Sequence, residues 1–580
     1  MNKRILRRSL EGENNSGLRD FNPLLQRVFA ARNVSDLDEI DKTLQALLPY
    51  DELMQIDQAV VRLAIALEKQ ESVIVVGDFD ADGATSTAVA VKAMQSFGLK
   101  AIDYLVPNRF EFGYGLTPEI VDVAEKSKPD LIITVDNGIA SHAGVDRANE
   151  LGIDVVVTDH HLPPAVLPNA VAIVNPNQEG DEFSSKNLAG VGVIFYVMLA
   201  LRAYLKDNGW FESQAMDCPK MTPLLDYVAL GTVADVVPLD KNNRILVHQG
   251  LRRIRAGCAN IGIEALILAA RRQSNKLKAS DLAYGLAPRL NAAGRLEDMS
   301  FGIACLLEED LSKATEMANR LNELNMERRA LENQMEQEAY SILDALDMND
   351  MGSLGICVYD PNWHQGVVGL VASRVKEKLH RPVIAFAKVS DDELKGSARS
   401  IKGIHIRDVL DVIATQHPGL VTKFGGHAMA AGLSLPLAHY EKFQKIFAET
   451  VAERVSPEIL QNVIETDGEL KSTEFTLANA QALREAGPWG QGFPEPLFDG
   501  VFRLIDQRIV GERHLKMVLQ PSDSSIYVDA IAFNVDIDQW PNHQCDYVHL
   551  VYHLDVNYFR DQRRLQLLVE EIFVAEEVPA

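Results

Sequence analysis

From about residue 70 to 300, short β-branched apolar runs alternate with amphipathic stretches. The runs Val73-Ile74-Val75-Val76, Leu131-Ile132-Ile133-Thr134-Val135 and Val155-Val156-Val157-Thr158 are apolar at successive positions. Such strands are covered on both faces, which predicts a parallel sheet built from βαβ units. A helical spacing is also read over residues 34–48. Further on, Ala314, Met317, Leu321, Leu324, Leu331, Met335 and Ile342 follow an alternating three-four spacing, interrupted at Arg328 and Glu338, with no Gly or Pro from 311 to 347. That predicts one long helix, a stiff spacer of about 50 Å. A second α/β segment follows to about 450, with a strand at 354–359, a helix at 367–379 and a strand at 383–386. Beyond it, residues 547–554 and 564–569 gather β-formers around a turn-like stretch at 559–562, which predicts a mostly antiparallel β module.

Chemistry collects where the parallel strands stop. The first runs into Gly77-Asp78-Phe79-Asp80-Ala81-Asp82-Gly83, the second into Asp136-Asn137-Gly138 and the third into Asp159-His160-His161. In an open α/β sheet the carboxyl ends of neighbouring strands face one crevice, so these motifs converge. Any single acidic residue there is an ordinary helix N-cap. Five carboxylates and two imidazoles then share one pocket, where the like charges disfavour joint ionisation unless cations neutralise them, and oxygen ligands with some nitrogen suit Mg²⁺ or Mn²⁺. A fourth aspartate, Asp235, ends the apolar stretch 227–234.

Composition narrows the class. The 580 residues exceed one hydrophobic core and suggest three or four domains. Apolar residues at 47% and charged residues at 24% exclude disordered and fibrous classes. The net charge is 57 − 82 = −25, so a nucleic-acid surface must be local. Residues 244–295 form such an island, with ten basic residues against two acidic ones. Within it, Arg289-Leu290-Asn291-Ala292-Ala293-Gly294-Arg295 reads as a loop with two arginine forks. Five scattered cysteines without a C-x-x-C pair imply buried, reduced thiols. The longest uncharged apolar run, 188–201, has 14 residues, too short for a bilayer, and no apolar segment follows the basic start. A cytoplasmic location is expected, with no membrane association.

Asp78-Phe79-Asp80-Ala81-Asp82-Gly83, Asp136-Asn137-Gly138, Asp159-His160-His161 and Asp235 resemble, in order and spacing, the four motifs of the DHH phosphoesterase superfamily. The resemblance implies a phosphoesterase with two divalent cations, Mn²⁺ or Mg²⁺, which stabilise attacking and leaving oxygens of an in-line hydrolysis. Asp78, Asp80, Asp82, Asp136, His160 and Asp235 are the candidate ligands, with Asp136 as the bridging one. Which of the first three aspartates touch metal stays open. His161 is catalytic as a ligand, a phosphate-orienting group or a proton donor.

Gly396-Ser397-Ala398-Arg399-Ser400 and Gly425-Gly426-His427-Ala428-Met429-Ala430-Ala431-Gly432 resemble the glycine-rich motifs of the DHHA1-type substrate-binding domain. Glycines let backbone approach a phosphodiester, Arg399 forks onto its oxygens, and Ser397 and His427 add polar groups. The Arg289 to Arg295 loop, Trp363-His364-Gln365-Gly366-Val367-Val368-Gly369 and a β module after residue 487 together narrow the resemblance to the bacterial single-strand-specific DNA exonucleases.

Residues 1–50, weakly patterned, are expected as an N-terminal arm; the group implies a DHH domain at 51–305, a connecting helix at 306–347, a DHHA1-type domain at 348–452 and an OB-fold-like DNA-binding module at 453–580. It also implies 5′ to 3′ digestion of single-stranded DNA to mononucleotides, in repair and recombination. Arg109, Arg289 and Arg399 are then candidates for a 5′ phosphate, with Asn291, Ser397, Gly425, Gly426 and His427 beside the substrate. Tyr114, Trp363 or Phe493 are candidates for base stacking. The single-stranded-DNA-binding protein and a helicase are implied as partners. Two rival expectations are a phosphodiesterase for short oligonucleotides or cyclic dinucleotides and a catalytically inactive DNA-binding scaffold.

Overall fold

The computed structural model describes residues 3–9, 16–108, 114–345, 354–559 and 562–575. Contacts divide the chain into two compact units. One comprises Ile5–Gly294, Asp298–Leu321 and Glu465–Ala580; the other comprises Met1–Arg4, Arg295–Glu297 and Asn322–Ile464.

The larger unit holds the parallel sheet. Its strands are β1 (Val73–Gly77), β2 (Ile102–Leu105), β3 (Leu131–Val135), β4 (Asp154–Thr158) and β5 (Ala172–Val174), in the order β2-β1-β3-β4-β5. Every neighbouring pair is parallel. Each residue of β1 and β3 is buried, which is why those segments read as unbroken apolar runs. Helix α1 (Ala81–Ser96) leaves the end of β1 and packs on α2 (Gly190–Asp207) and α3 (Leu225–Ala234). Further along the chain lie α4 (Lys241–Arg255) and, beyond a shorter helix at Ile261–Ala269, α5 (Ala287–Leu296).

Helix α5 corrects the expectation of a loop at 289–295. Its Ala292 and Ala293 are good helix formers. Gly294 is there for packing, since a Cβ would lie 1.9 Å from the Phe79 carbonyl oxygen. The helical reading of 34–48 also fails. The segment makes only single 3₁₀ turns, Asp38–Ile40 and Leu44–Ala46. Asp36 accepts from Glu39 N and Asp41 from Thr43 N, local bonds that compete with a helix ladder.

Helix α6 (Leu311–Ala345) is the expected long helix. Arg328, which interrupts its apolar spacing, is buried in an ion pair with Glu332, whose other oxygen takes Arg374 Nε at 2.9 Å. The smaller unit then builds a five-stranded sheet from β6 (Ile356–Tyr359), β7 (Val383–Lys388), β8 (Glu393–Arg399), β9 (Lys423–Gly426) and β10 (Ala430–Pro436), ordered β9-β10-β8-β7-β6. Only β6 and β7 are parallel. Helix α7 (Val368–Leu379) covers β7 and β8.

The last strands return to the larger unit. β11 (Phe498–Val510), β12 (His514–Pro521), β13 (Val528–Ala532), β14 (Tyr547–Phe559) and β15 (Gln562–Ala575) close a barrel in the order β11-β12-β13-β15-β14. All pairs but β13 with β15 are antiparallel, as in an OB-fold. Residues 560 and 561 of the expected turn lie outside the described residues. Of the cysteines, Cys305, Cys357 and Cys545 are buried, whereas Cys258 is exposed, against expectation.

Two buried carboxylates hold the N-terminal segment in this unit. Arg32 forks onto Asp467 at 2.8 and 3.0 Å, and Arg7 Nη2 reaches Asp499 at 2.7 Å. Thr466 and His549 also contact Asp499. Burial raises the Asp499 carboxyl, but its partners His549, Arg7 and Thr466 outweigh that and hold it well below the usual range. A depressed folded pKa contributes stability above the unfolded value of about 4, and that contribution is lost as pH falls through the folded value. Asp499→Ala is therefore expected to lower stability at pH 7 by about 2 kcal/mol, less than for a fully buried pair because Arg7 is half exposed. It also flattens the acid limb of the stability curve. An unchanged urea midpoint at pH 7 would count against this.

Candidate active site

The strand ends gather as one site. Past β1, Asp80 caps α1, its Oδ1 accepting Asp82 N at 2.9 Å and Gly83 N at 3.0 Å. Gly83 is required because a Cβ would stand 2.4 Å from the Asp78 carbonyl oxygen. Asp82 is fully buried and gripped by the first amides of α2: Gly190 N at 2.7 Å and Val191 N at 3.0 Å. A helix N-terminus is a natural seat for such a carboxylate.

Past β3, Asp136 adopts a left-handed backbone with φ 61°, a conformation that aspartate tolerates better than most residues. Asn137 locks the turn by donating to the carbonyls of Val76 and Val135 at 3.0 and 2.9 Å. Past β4, Asp159 is buried. Its Oδ1 accepts His160 N at 2.7 Å and His161 N at 3.1 Å and lies 2.7 Å from His161 Nδ1, while Oδ2 accepts Ile139 N at 2.9 Å. Asp235 follows directly on α3.

These turns set the distances. His160 Nε2 lies 3.1 Å from Asp136 Oδ1 and 3.4 Å from Asp235 Oδ2. Three sets each bring one ligand atom per residue within 4.8 Å of the others: Asp136 with His160 and His161; Asp82 with His160 and Asp235; Asp78 with Asp80 and Asp136. Burial, then the field of neighbouring carboxylates, pushes Asp136 and Asp235 well above the usual range and Asp82 up to about 7. Burial works against protonation of His161, but the bonded Asp159 and the nearby Asp78 and Asp80 prevail and raise it to about 9.

Among the described residues the Asp136 Oδ1 atom is buried and accepts no hydrogen bond. A buried acceptor in that state inside a crowd of like charges fits a cation, and oxygen donors with imidazole suit Mg²⁺ or Mn²⁺. Asp82 offers an oxygen to one set although both its oxygens already accept amide hydrogens.

The expected substrate residues fall in both units. In the larger one, Asn291 Oδ1 accepts Ala81 N at 2.8 Å, tying α5 to the acidic motif. Arg289 turns onto the carbonyl oxygens of Gly285 and Ala269. Arg109 lies outside the described residues. In the smaller unit, Ser397 pairs with Gly432 and Arg399 with Ala430 across β8 and β10, and Gly425 pairs with Gly432 and Gly426 with Ala431 across β9 and β10. His427 N donates to Ala430 O at 2.8 Å, so these residues share one corner of the sheet. Gly369 makes room there, since a Cβ would sit 2.9 Å from Arg399 Nη2 and 3.4 Å from Ser397 Oγ.

Two stacking candidates prove to be core. Trp363 is buried with Nε1 on Glu338 at 2.9 Å, and buried Phe493 stacks on Trp489 at 5.0 Å. Tyr114 is half exposed, and its hydroxyl lies 3.2 Å from Asp136 O and 3.3 Å from His161. Much of the basic island is turned inward. Arg244 donates to Leu239 O and Glu39 O, Arg253 to Cys258 O and Arg255 to Leu277 O, while Lys278 pairs with Asp555 at 2.8 Å.

Sequence reasoning missed three supports. Asn175 Nδ2 donates to His161 O at 2.9 Å and Asn177 Nδ2 to His160 O at 2.6 Å. Their signal was the polar Asn175-Pro176-Asn177 at the end of a further strand. The third is the amide pair at Gly190 and Val191, which holds Asp82 from the start of α2.

A parallel sheet with carboxylates and a histidine pair at its strand ends defines a DHH phosphoesterase. Correspondingly, the family described as "DHH family, N-terminal domain" matches residues 72–232, "DHHA1 domain" matches 352–453 and "RecJ OB domain" matches 466–571. The single-stranded-DNA-specific exonuclease RecJ of Escherichia coli (strain K12) is 54% identical over 552 residues, covering 95% of this chain and 96% of that protein. Its counterpart in Bacillus subtilis (strain 168) is 32% identical over 91% of this chain and 64% of its own length. Among solved structures, RecJ from Thermus thermophilus in complex with Mn²⁺ superposes with a TM-score of 0.80 at 29% identity, covering 99% of this chain and 80% of that one. The chain belongs to the RecJ family. Among the described residues no helix is long and apolar enough to cross a membrane.

Proposed function

We propose that the chain is a metal-dependent, single-stranded-DNA-specific exonuclease that hydrolyses phosphodiesters from a 5′ end and releases mononucleotides. The observation that carries this reading is the convergence of Asp78, Asp80, Asp82, Asp136, His160 and Asp235 at the strand ends. Those residues would hold two divalent cations, Mn²⁺ or Mg²⁺, which supply charge neutralisation and polarise the scissile phosphate. The same two ions accompany the Thermus RecJ structures. His161, oriented by Asp159 and flanked by Tyr114, faces the phosphate or its leaving oxygen. Asp159 orients without touching substrate.

Arg399, with Ser397, Gly425, Gly426 and His427 beside the substrate, holds the 5′ phosphate together with Arg109 and Arg289. Residues 453–580, with their barrel, form the module that binds the single-stranded DNA. The reading places the chain in the cytoplasm, in DNA repair and recombination, with the single-stranded-DNA-binding protein and a helicase as partners.

The test is digestion of a long single strand, labelled separately at each end, with Mn²⁺, Mg²⁺ or chelator, beside a duplex of the same sequence. Early metal-dependent release of the 5′ label, with the duplex and the 3′ label spared, is expected. Release from the 3′ end first, or cleavage of very short oligomers alone, would overturn the substrate assignment. Arg399→Ala is expected to raise KM for 5′-phosphorylated strands about tenfold or more, the loss of a charge-assisted bond of roughly 1.5–3 kcal/mol. A KM unchanged from that of the unaltered chain would remove Arg399 from phosphate binding.

A further inference from the structure

Ten described non-glycine residues adopt a left-handed φ, and two of them stand at the carboxylates that bracket His160. One is Asp136 itself. The other is Val236, with φ 61°, immediately after Asp235. Val236 is the one β-branched residue among the ten, and for such a side chain this conformation is a genuine outlier. Helices that end in a left-handed residue usually place glycine there, which accepts the geometry without strain. Burial does not compensate, because Val236 is 62% exposed.

The strain sits between two fixed ends. Upstream, α3 is pressed against the acidic motif: a Cβ on Gly231 would stand 2.2 Å from Thr85 Oγ1 and 2.7 Å from Asp82 Oδ1. Downstream, Leu239 N donates to Gln491 O at 2.7 Å, and Asp240 accepts Ser185 Oγ at 2.6 Å and caps α4 through Asn243 N at 3.0 Å. Asp235 hangs between them, its amide on Gly231 O at 2.9 Å and its carboxylate 3.4 Å from His160. Sparsely populated backbone states persist where the surroundings over-determine them, and they gather where geometry matters to function.

We infer that Val236 is a positioning residue whose strained, β-branched backbone holds Asp235 against His160 in the cation-binding cluster. A valine in the left-handed well has little room to move, so the Asp235 carboxylate is confined. Glycine at the same place would end the helix equally well but leave the carboxylate free to swing. The inference rests on the proposed reading of the cluster as a cation site.

The test compares Val236→Gly with Val236→Ile in the full chain. Three readouts are thermal unfolding without metal, Mn²⁺ titration calorimetry and kcat on single-stranded DNA at limiting Mn²⁺. Val236→Gly is expected to unfold a few degrees higher, because strain is relieved, and to bind Mn²⁺ about tenfold more weakly, the size of effect found for residues that orient metal ligands. Its kcat at limiting Mn²⁺ falls in step. Val236→Ile, which keeps the branched Cβ, stays close to the unaltered chain in all three. A lower melting temperature for Val236→Gly, or a Mn²⁺ affinity within twofold of the unaltered chain, overturns the inference. Failure of the unaltered chain itself to bind Mn²⁺ would instead overturn the reading of the cluster.

Discussion

With asparagine in place of Asp136, nucleotide release from single-stranded DNA is expected to fall at least about 10³-fold, beyond the roughly 10–100-fold that outer changes cost at metal sites. Asp136 is the one carboxylate that belongs to two of the three candidate ligand sets, and its Oδ1 lies 3.1 Å from the Nε2 of His160, the imidazole that also belongs to two. Asparagine has the same shape and tolerates the left-handed backbone that this position demands. Burial, followed by the fields of Asp82, Asp80, Asp235 and Asp78, holds the Asp136 carboxyl well above its usual range. Replacing it by a neutral amide of the same shape removes a charge that burial and these neighbours disfavour, so the metal-free melting temperature should not fall. What disappears is the response to metal: an ion at 100 times its Kd adds about 2.7 kcal/mol to the folded state. Thermal melts with and without Mn²⁺, beside end-labelled digestion, check both halves. Activity within tenfold of the unaltered chain, or an undiminished Mn²⁺-induced rise, would displace Asp136 from the centre of the site.

The parts of this site that were legible in the sequence are those set by local periodicity. Buried parallel strands leave continuous β-branched runs, so their ends, and the aspartates and histidines placed there, could be read directly. Features that depend on tertiary approach left no such trace. Gly294 looked like a loop residue because only the nearby Phe79 carbonyl explains its lack of a side chain. Residues 34–48 carried helical spacing, but Asp36 and Asp41 spend their carboxylates on nearby amides. The basic island was real in composition, yet Arg244, Arg253 and Arg255 satisfy backbone carbonyls. Local charge counts cannot separate a cation facing solvent from one holding the chain to itself. The same limit applies to Trp363 and Phe493, whose burial is a property of the packed core.

Gly190→Ala sets two physical effects against each other and is expected to lose about 100-fold in kcat, the size of a misplacement of about 1 Å in a catalytic group. Helix propensity alone predicts the opposite, since alanine in a helix is favoured over glycine by roughly 0.5–1 kcal/mol. The site decides otherwise. A Cβ at Gly190 would stand 2.5 Å from Asp136 Cβ and 2.7 Å from its Oδ1, closer than real contacts allow. Asp136 cannot easily retreat, because its amide is bonded to Thr158 O at 3.0 Å and its carbonyl accepts Tyr114 Oη at 3.2 Å. If α2 retreats instead, the amides of Gly190 and Val191 leave Asp82. Either movement spoils a carboxylate of the cluster. Gly192→Ala, two residues along the same helix, is the control: its Cβ would meet Leu188 Cδ2 at 2.9 Å, the far end of a flexible side chain. That variant should keep kcat within a few-fold while gaining helix stability. Equal activity in the two variants would mean that the close approach of α2 to Asp136 has no part in holding the carboxylates.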